Sequence, residues 1–297
     1  MNFKYKWLLQ SVFSALPNSE GLNYFAQKHL TKNLPLSEED YRIKVEQALA
    51  HHNTFKKYAD VAVDSNVYEI GCGWHLTMAL TFSTLEYSDI KALDVKNHVR
   101  KELVNSIIKH MKWDEVLPVS SFEFDKSSNL KEKLLSEYRI NLLAPCDSAN
   151  TGLEGESIDF IYSQEVFEHI PPFLFPDIMK ECHRVLKDDG VVSIFINYAD
   201  HYCSIDDSIN EYNFLQYSEK KWKKYNPSLH YVNRLRHVDF VNIFKNAGFE
   251  IIEETIFRPD KWESKVKNFP FAEEFTSKYS LDELSITSAN FVLKKVK

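Results

Sequence analysis

The stretch YEIGCGWHLTMAL, residues 68–80, decides the fold. It places two of the chain's seven glycines, Gly71 and Gly73, within three positions, between an apolar run and a helical one. A strand that turns sharply into a helix needs glycine for the turn, and a ligand lying on that turn needs it for close approach. The motif therefore predicts a strand, a ligand-binding turn and a helix, in that order.

Working outward, short β-rich runs alternate with helical patterns from Val67 on: VYEIG, DIKALDV, RINLLAP, SIDFIYS, GVVSIFIN, FEIIEETIF and ANFVLKK. Several are nearly continuous apolar runs, as in strands covered on both faces by helices. Between them, the helical patterns PPFLFPDIMKECHRVLKDDG and HVDFVNIFKNAG end in Gly190 and Gly248, the residue type that closes helices. The expected fold is α/β, a Rossmann-like doubly wound sheet of seven strands with a final antiparallel strand, and with ligands beyond the carboxyl ends of the strands.

Two additions frame this core. Helical periodicity dominates residues 1–60, read as an N-terminal helical cap, where Ser37 followed by acidic residues signals a helix start. The main domain then spans 61–297, and residues 198–236 separate the fifth strand from the next helix. That gap far exceeds an ordinary connection, and an insertion at the ligand edge of a sheet is expected to serve function.

Composition narrows the partners. The 297 residues carry a net charge of −7 and no general attraction for polyanions, so nucleic acid is not expected as a partner. Four scattered cysteines, Cys72, Cys146, Cys182 and Cys203, show no metal-ligand or disulfide spacing and suit a reducing cytoplasm. No apolar run is long enough to span a bilayer. The amphipathic WLLQSVFSALP near the N-terminus reads as a core-packing helix rather than a membrane-surface anchor, although peripheral membrane contact stays open.

The glycine turn admits two cofactor classes. A nicotinamide site wants a third glycine where Leu76 stands, and Glu69 at the strand end would repel a pyrophosphate. A cationic ligand suits that carboxylate instead. The order strand, acidic residue, x, Gly, x, Gly resembles the first motif of class I S-adenosylmethionine-dependent methyltransferases, with His75 where many members carry a further glycine. The resemblance extends through Asp94 in IKALDV, Asp147 in APCDSAN, the segment GESIDFIYSQEVFEHI and the helix and strand ECHRVLKDDGVVSIFI.

What the resemblance implies is a pocket for S-adenosylmethionine, with S-adenosylhomocysteine as product. Glu69, Gly71, Cys72 and Gly73 would hold its methionine end, Asp94 the ribose hydroxyls, and Asp147 with Ser148 the adenine; Ser163 would complete the pocket. The looser likeness of DHYCSIDDSINEYNFLQYS and LHYVNRLRHVDF to bacterial surface-polysaccharide and sugar methyltransferases implies O-methylation of a sugar or glycan-linked hydroxyl.

A hydroxyl acceptor needs a base near the strand ends. His169 in FEHI and His201 in NYADHY stand there, with Asp200 beside His201 to orient its ring and His230 as a third imidazole near the site. Asp206 and Asp207 could bind a divalent metal with Asp200, as the likeness to sugar methyltransferases would allow, but they read rather as a solvated turn, and no metal ligand is assigned. The insertion's aromatics suit either a sugar face or the lid's own core, and Arg234 and Arg236 suit an anionic group on the acceptor or the chain's surplus acids. Two rivals remain: a non-catalytic subunit that keeps the cofactor pocket, and an N- or carboxyl-methyltransferase using Glu165 and Glu168.

Overall fold

The computed structural model describes residues 3–296, apart from 15, 18, 30–32, 61, 63, 86 and 113–122. Val61, at the boundary expected between cap and main domain, and Ala15, in the N-terminal amphipathic stretch, lie outside the described residues. Three helices come first, α1 (Phe3–Ser14), α2 (Ser19–His29) and α3 (Glu38–Tyr58). Ser37 caps α3 as its sequence predicts, its side chain accepting from the Asp40 N–H.

The alternating part follows as β1 (Asn66–Ile70), α4 (Thr77–Thr84), β2 (Asp89–Leu93), α5 (Lys101–Lys112), α6 (Leu130–Tyr138), β3 (Ile140–Leu143), β4 (Ile158–Gln164), α7 (Phe175–Val185) and β5 (Leu186–Asn197). The chain closes through α8 (Glu219–Trp222), α9 (His237–Asn246), β6 (Phe249–Phe257) and β7 (Ser288–Lys295). The seven strands stand in the order β3-β2-β1-β4-β5-β7-β6, with β7 antiparallel to both neighbours and the first five strands parallel. This is the Rossmann-like sheet with a final antiparallel strand that the alternation predicts. Its reversal between β1 and β4 opens the crevice where ligands bind in such sheets.

Helices cover both faces, so the central strands are buried throughout: Val67, Tyr68, Ile70, Ile161 and Val192 are at most 1% exposed. The helix expected to end at Gly190 stops instead at Val185. Residues 186–190 already belong to β5, which pairs with β4 at Leu186 and again from Val191 after a register shift. Gly190 is needed for room, since a Cβ there would lie 2.7 Å from Leu186 Cδ1. Gly248 does follow α9 in the left-handed region, φ +85°.

Residues 198–236 form short helical turns whose aromatics make a separate core with Phe3 of α1 and with residues 258–287. Tyr202, Tyr212, Phe214 and Trp222 are buried there with Val266, Phe275 and Leu284. The insertion is thus half of a subdomain, and its other half lies between β6 and β7.

Candidate active site

The turn after β1 is hung on the end of β2: the Gly71 and Cys72 N–H groups both donate to Leu93 O, at 2.8 and 2.9 Å. Gly71 has φ +83°, and a Cβ on it would sit 2.4 Å from Val166 Cγ2. Gly73, at φ +66°, has nothing within 4 Å of where a Cβ would stand. The first glycine is therefore required by packing against the loop after β4, and the second leaves open space on the ligand side. Leu76 keeps the left-handed conformation at φ 56° although it is not glycine. A buried leucine side chain holds it there, at a backbone cost of roughly 1–2 kcal/mol.

A cavity of about 830 Å³ opens at the carboxyl ends of the strands. Glu69, Gly71, Cys72, Gly73, Asp94, Asp147 and Ser148 stand in its wall, all of them anticipated in the sequence. Glu69 is 4% exposed, and burial pushes its carboxyl up to about 7 against the pull of Tyr162 and Lys44. Its Oε2 is buried without a hydrogen-bond partner, an orphaned acceptor awaiting a donor or a cation. Asp94 accepts from the Gly73 N–H at 3.1 Å and the Lys96 N–H at 3.0 Å. Each carboxylate oxygen keeps a further lone pair for a vicinal diol. Asp147 is exposed at the rim and accepts from the Ala149 N–H.

An orphaned carboxylate, open space over Gly73 and spare acceptors on Asp94 fit S-adenosylmethionine, which carries an ammonium, a sulfonium and a ribose diol. Ser163 does not belong to this wall. It is fully buried and donates to Ile70 O at 3.1 Å, fastening β4 to β1.

The loops after β4 and β5 and the insertion build the other wall, with His169, His201 and His230. The His169 and His201 ring centroids lie 5.0 Å apart, and those of His201 and His230 6.1 Å apart. His169 Nδ1 lies 2.8 Å from Tyr231 O. A carbonyl only accepts, so Nδ1 carries the proton and Nε2 keeps its lone pair. The protein atoms packed around the three rings lower their basicity by desolvation, His201 and His230 to about 3, although His169 itself keeps an exposed side at the cavity mouth.

Glu168, His169 and His201 each offer a ligand atom within 4.8 Å of the others, the grouping among the described residues able to hold a metal. Glu168 is 1% exposed, and burial raises its carboxyl well above the ordinary range.

Several expectations for this wall are corrected. Asp200 lines the cavity but does not orient His201: its carboxylate accepts from the Tyr202 N–H at 2.9 Å and Asn213 Nδ2 at 2.6 Å, capping the turn His201–Ser204. Asp206 accepts from the Phe3 N–H and Ser208, so it anchors the start of α1 rather than lying in a solvated turn. Arg234 and Arg236 do not face an acceptor. Arg234 bonds Phe214 O, Tyr217 O, Glu219 and Glu274, and the fully buried Arg236 bonds Tyr198 O and Ile286 O. Both hold the lid subdomain together.

Sequence reasoning missed Lys6, Lys44 and Gln164, which also line the cavity. The lysines come from α1 and α3, and only the packing of these helices over the strand ends brings them in. Gln164 closes β4 within the motif segment GESIDFIYSQEVFEHI, and its place at a strand end was the available signal.

The model of a methyltransferase-domain family matches residues 19–254. No curated protein matches the sequence closely enough to count as a relative. Among solved structures, geranyl diphosphate C-methyltransferase from Streptomyces coelicolor A3(2), a complex with Mg2+, geranyl diphosphate and S-adenosylhomocysteine, superposes with a TM-score of 0.50 at 11% identity, over 86% of this chain and 80% of that one. Haemonchus contortus phosphoethanolamine N-methyltransferase 2, in complex with S-adenosylmethionine, gives a TM-score of 0.51 at 15% identity, over 92% of this chain and 59% of that one. The chain thus spans less than two thirds of the second enzyme. At these identities the likeness is one of fold.

Proposed function

The chain belongs to this methyltransferase-domain family, the class I S-adenosylmethionine-dependent methyltransferases, and we propose that it O-methylates a sugar or glycan-linked hydroxyl, with His169 as the base. The observation that carries the reading is the His169 imidazole, neutral and locked with Nε2 as its free acceptor in the wall of the cavity. Nε2 of His201, the other candidate, is buried without a hydrogen-bond partner and lies 4.0 Å from Glu168 Oε1.

The cofactor supplies an activated methyl group on a sulfonium, so the protein's work is positioning and proton removal. Glu69 would face the ammonium, and Asp94 would take the ribose diol. His169 Nε2 would accept the hydroxyl proton while Tyr231 O holds the ring in place. Desolvation by the surrounding protein lowers the basicity of His169 and favours the neutral imidazole that a base requires. Placement in surface-polysaccharide synthesis rests on the insertion's sequence likeness alone.

One residue favours the N-methylating rival: Glu165 also lines the cavity, held at φ 55°, and offers a carboxylate to an amine. The test is methyl transfer from labelled S-adenosylmethionine to a panel of sugars, nucleotide sugars and small amines, with the product located by mass spectrometry. Methyl ethers on a sugar, lost in His169→Gln, are expected. Methylated amines with His169→Gln fully active would overturn the reading.

A further inference from the structure

Helix α1 has two dissimilar faces. Phe3, Trp7 and Ser14 face inward: Phe3 and Trp7 pack on Tyr225 with centroids 5.9 and 5.1 Å apart, and Ser14 Oγ accepts from the Leu229 N–H. The opposite face is apolar and bare. Tyr5, Leu8, Leu9 and Val12 are 67, 51, 47 and 49% exposed, and Leu16 just beyond the helix is 45% exposed. At 100° per residue the four helical positions fall within a stripe about 100° wide. The sequence expectation of a core-packing helix thus holds for one face only.

The surroundings say what covers the stripe. The first 37 residues carry four lysines against one acidic residue, Glu20, in a chain whose net charge is −7. Trp7 of α1 donates to Lys224 O, and Lys224 Nζ lies 5.3 Å from the Trp7 ring centroid. Lys224 belongs to a turn in which Lys220, Lys221, Lys223 and Lys224 are all exposed, while the neighbouring acid Glu219 is spent on Arg234. An apolar helix face bordered by the exposed lysines of this turn matches a bilayer with anionic headgroups: the apolar side chains enter the interface and the lysines meet the phosphates. A second copy of the chain would bring the same lysines against themselves.

From this arrangement we infer that the outer face of α1 and the lysine turn of residues 220–224 form a docking surface for an anionic membrane. Lys6 of the same helix lines the cavity, so docking sets the active site beside the lipid surface, where a lipid-anchored acceptor would present its headgroup.

The test is flotation of the full chain with vesicles of phosphatidylcholine alone and with vesicles of equal parts phosphatidylcholine and phosphatidylglycerol. The expected result is flotation with the anionic vesicles only, weakened by added salt. Leu8→Ser with Leu9→Ser, and separately Lys220→Glu with Lys221→Glu, should each lower the bound fraction, the second by about tenfold or more in partition coefficient. Unchanged melting temperatures show that these variants fold. Failure to float, equal flotation with both vesicles, or a dimer that Leu8→Ser with Leu9→Ser dissolves would each overturn the proposal, the last assigning the face to a second copy.

Discussion

His169 of the loop after β4 donates from Nδ1 to the backbone carbonyl of Tyr231 in the insertion, at 2.8 Å. One hydrogen bond thereby fixes the tautomer of the proposed base and ties it to the lid. His169→Gln should lower kcat by about a hundredfold to ten-thousandfold while leaving the Kd for S-adenosylhomocysteine within about twofold, because general-base catalysis acts in the transition state and not on the bound cofactor. Single-turnover methylation beside calorimetric binding separates the two, and full turnover in the variant would remove His169 from the chemistry.

Desolvation around His169 sets an acid limit on activity. A base works deprotonated, and His169 is pushed below the ordinary imidazole value of 6.5, chiefly by desolvation. At saturating cofactor, the acid limb of kcat/KM for the acceptor should therefore be centred below pH 6.5. A limb centred above that value would show that another group takes the proton.

Glu69 trades stability for binding. Its carboxyl is raised from 4.5 to about 7 by burial, so the free protein is stabilised while Glu69 stays protonated and loses that stability as pH rises through about 7. Glu69→Gln should melt above the wild type near pH 8 and match it at acid pH, with a gap of at most about 3 kcal/mol. Its affinity for S-adenosylhomocysteine should fall, and the rise in wild-type affinity between pH 6 and 8 should vanish. Thermal melts and titrations across that range read both effects.

Gly71→Ala meets both a left-handed backbone and the Val166 side chain at 2.4 Å. Its cost should be about 2–4 kcal/mol, combining strain with overpacking. Val166→Ala in the same chain should return part of that, and denaturant melts of the two single variants and the double variant measure the coupling. Strict additivity would show that the clash is not the cause.

Asp94→Ala should weaken S-adenosylhomocysteine about tenfold to a hundredfold, since two hydrogen bonds worth about 1–1.5 kcal/mol each are lost. Asp94→Asn, which keeps one carbonyl acceptor, should fall between. An unchanged Kd in the alanine variant would place Asp94 outside the site.

The sheet and the cofactor wall were legible because their signals are local. Every strand falls on one of the β-rich runs, although β5 begins earlier, at Leu186, and Glu69, Gly71, Gly73 and Asp94 sit where a strand must turn. Other roles depend on distant partners. Asp200 beside His201 suggested an orienting carboxylate, but Asn213, thirteen residues on, claims it. Arg234 and Arg236 suited an anionic acceptor or the chain's surplus acids; Arg234 does pair with Glu219 and Glu274, but both arginines also bond backbone carbonyls that no pattern announces. The segment 258–287 has only short helical turns and no sustained period, so its place in the lid's core follows from packing alone.

The most direct test of the account is calorimetric titration of the dialysed protein with S-adenosylhomocysteine and, in parallel, with NAD. Saturable binding of S-adenosylhomocysteine, diminished in Asp94→Ala, with no heat from NAD, is the predicted result. Binding of NAD alone, or of neither, would contradict the assignment of the β1 turn as a site for S-adenosylmethionine.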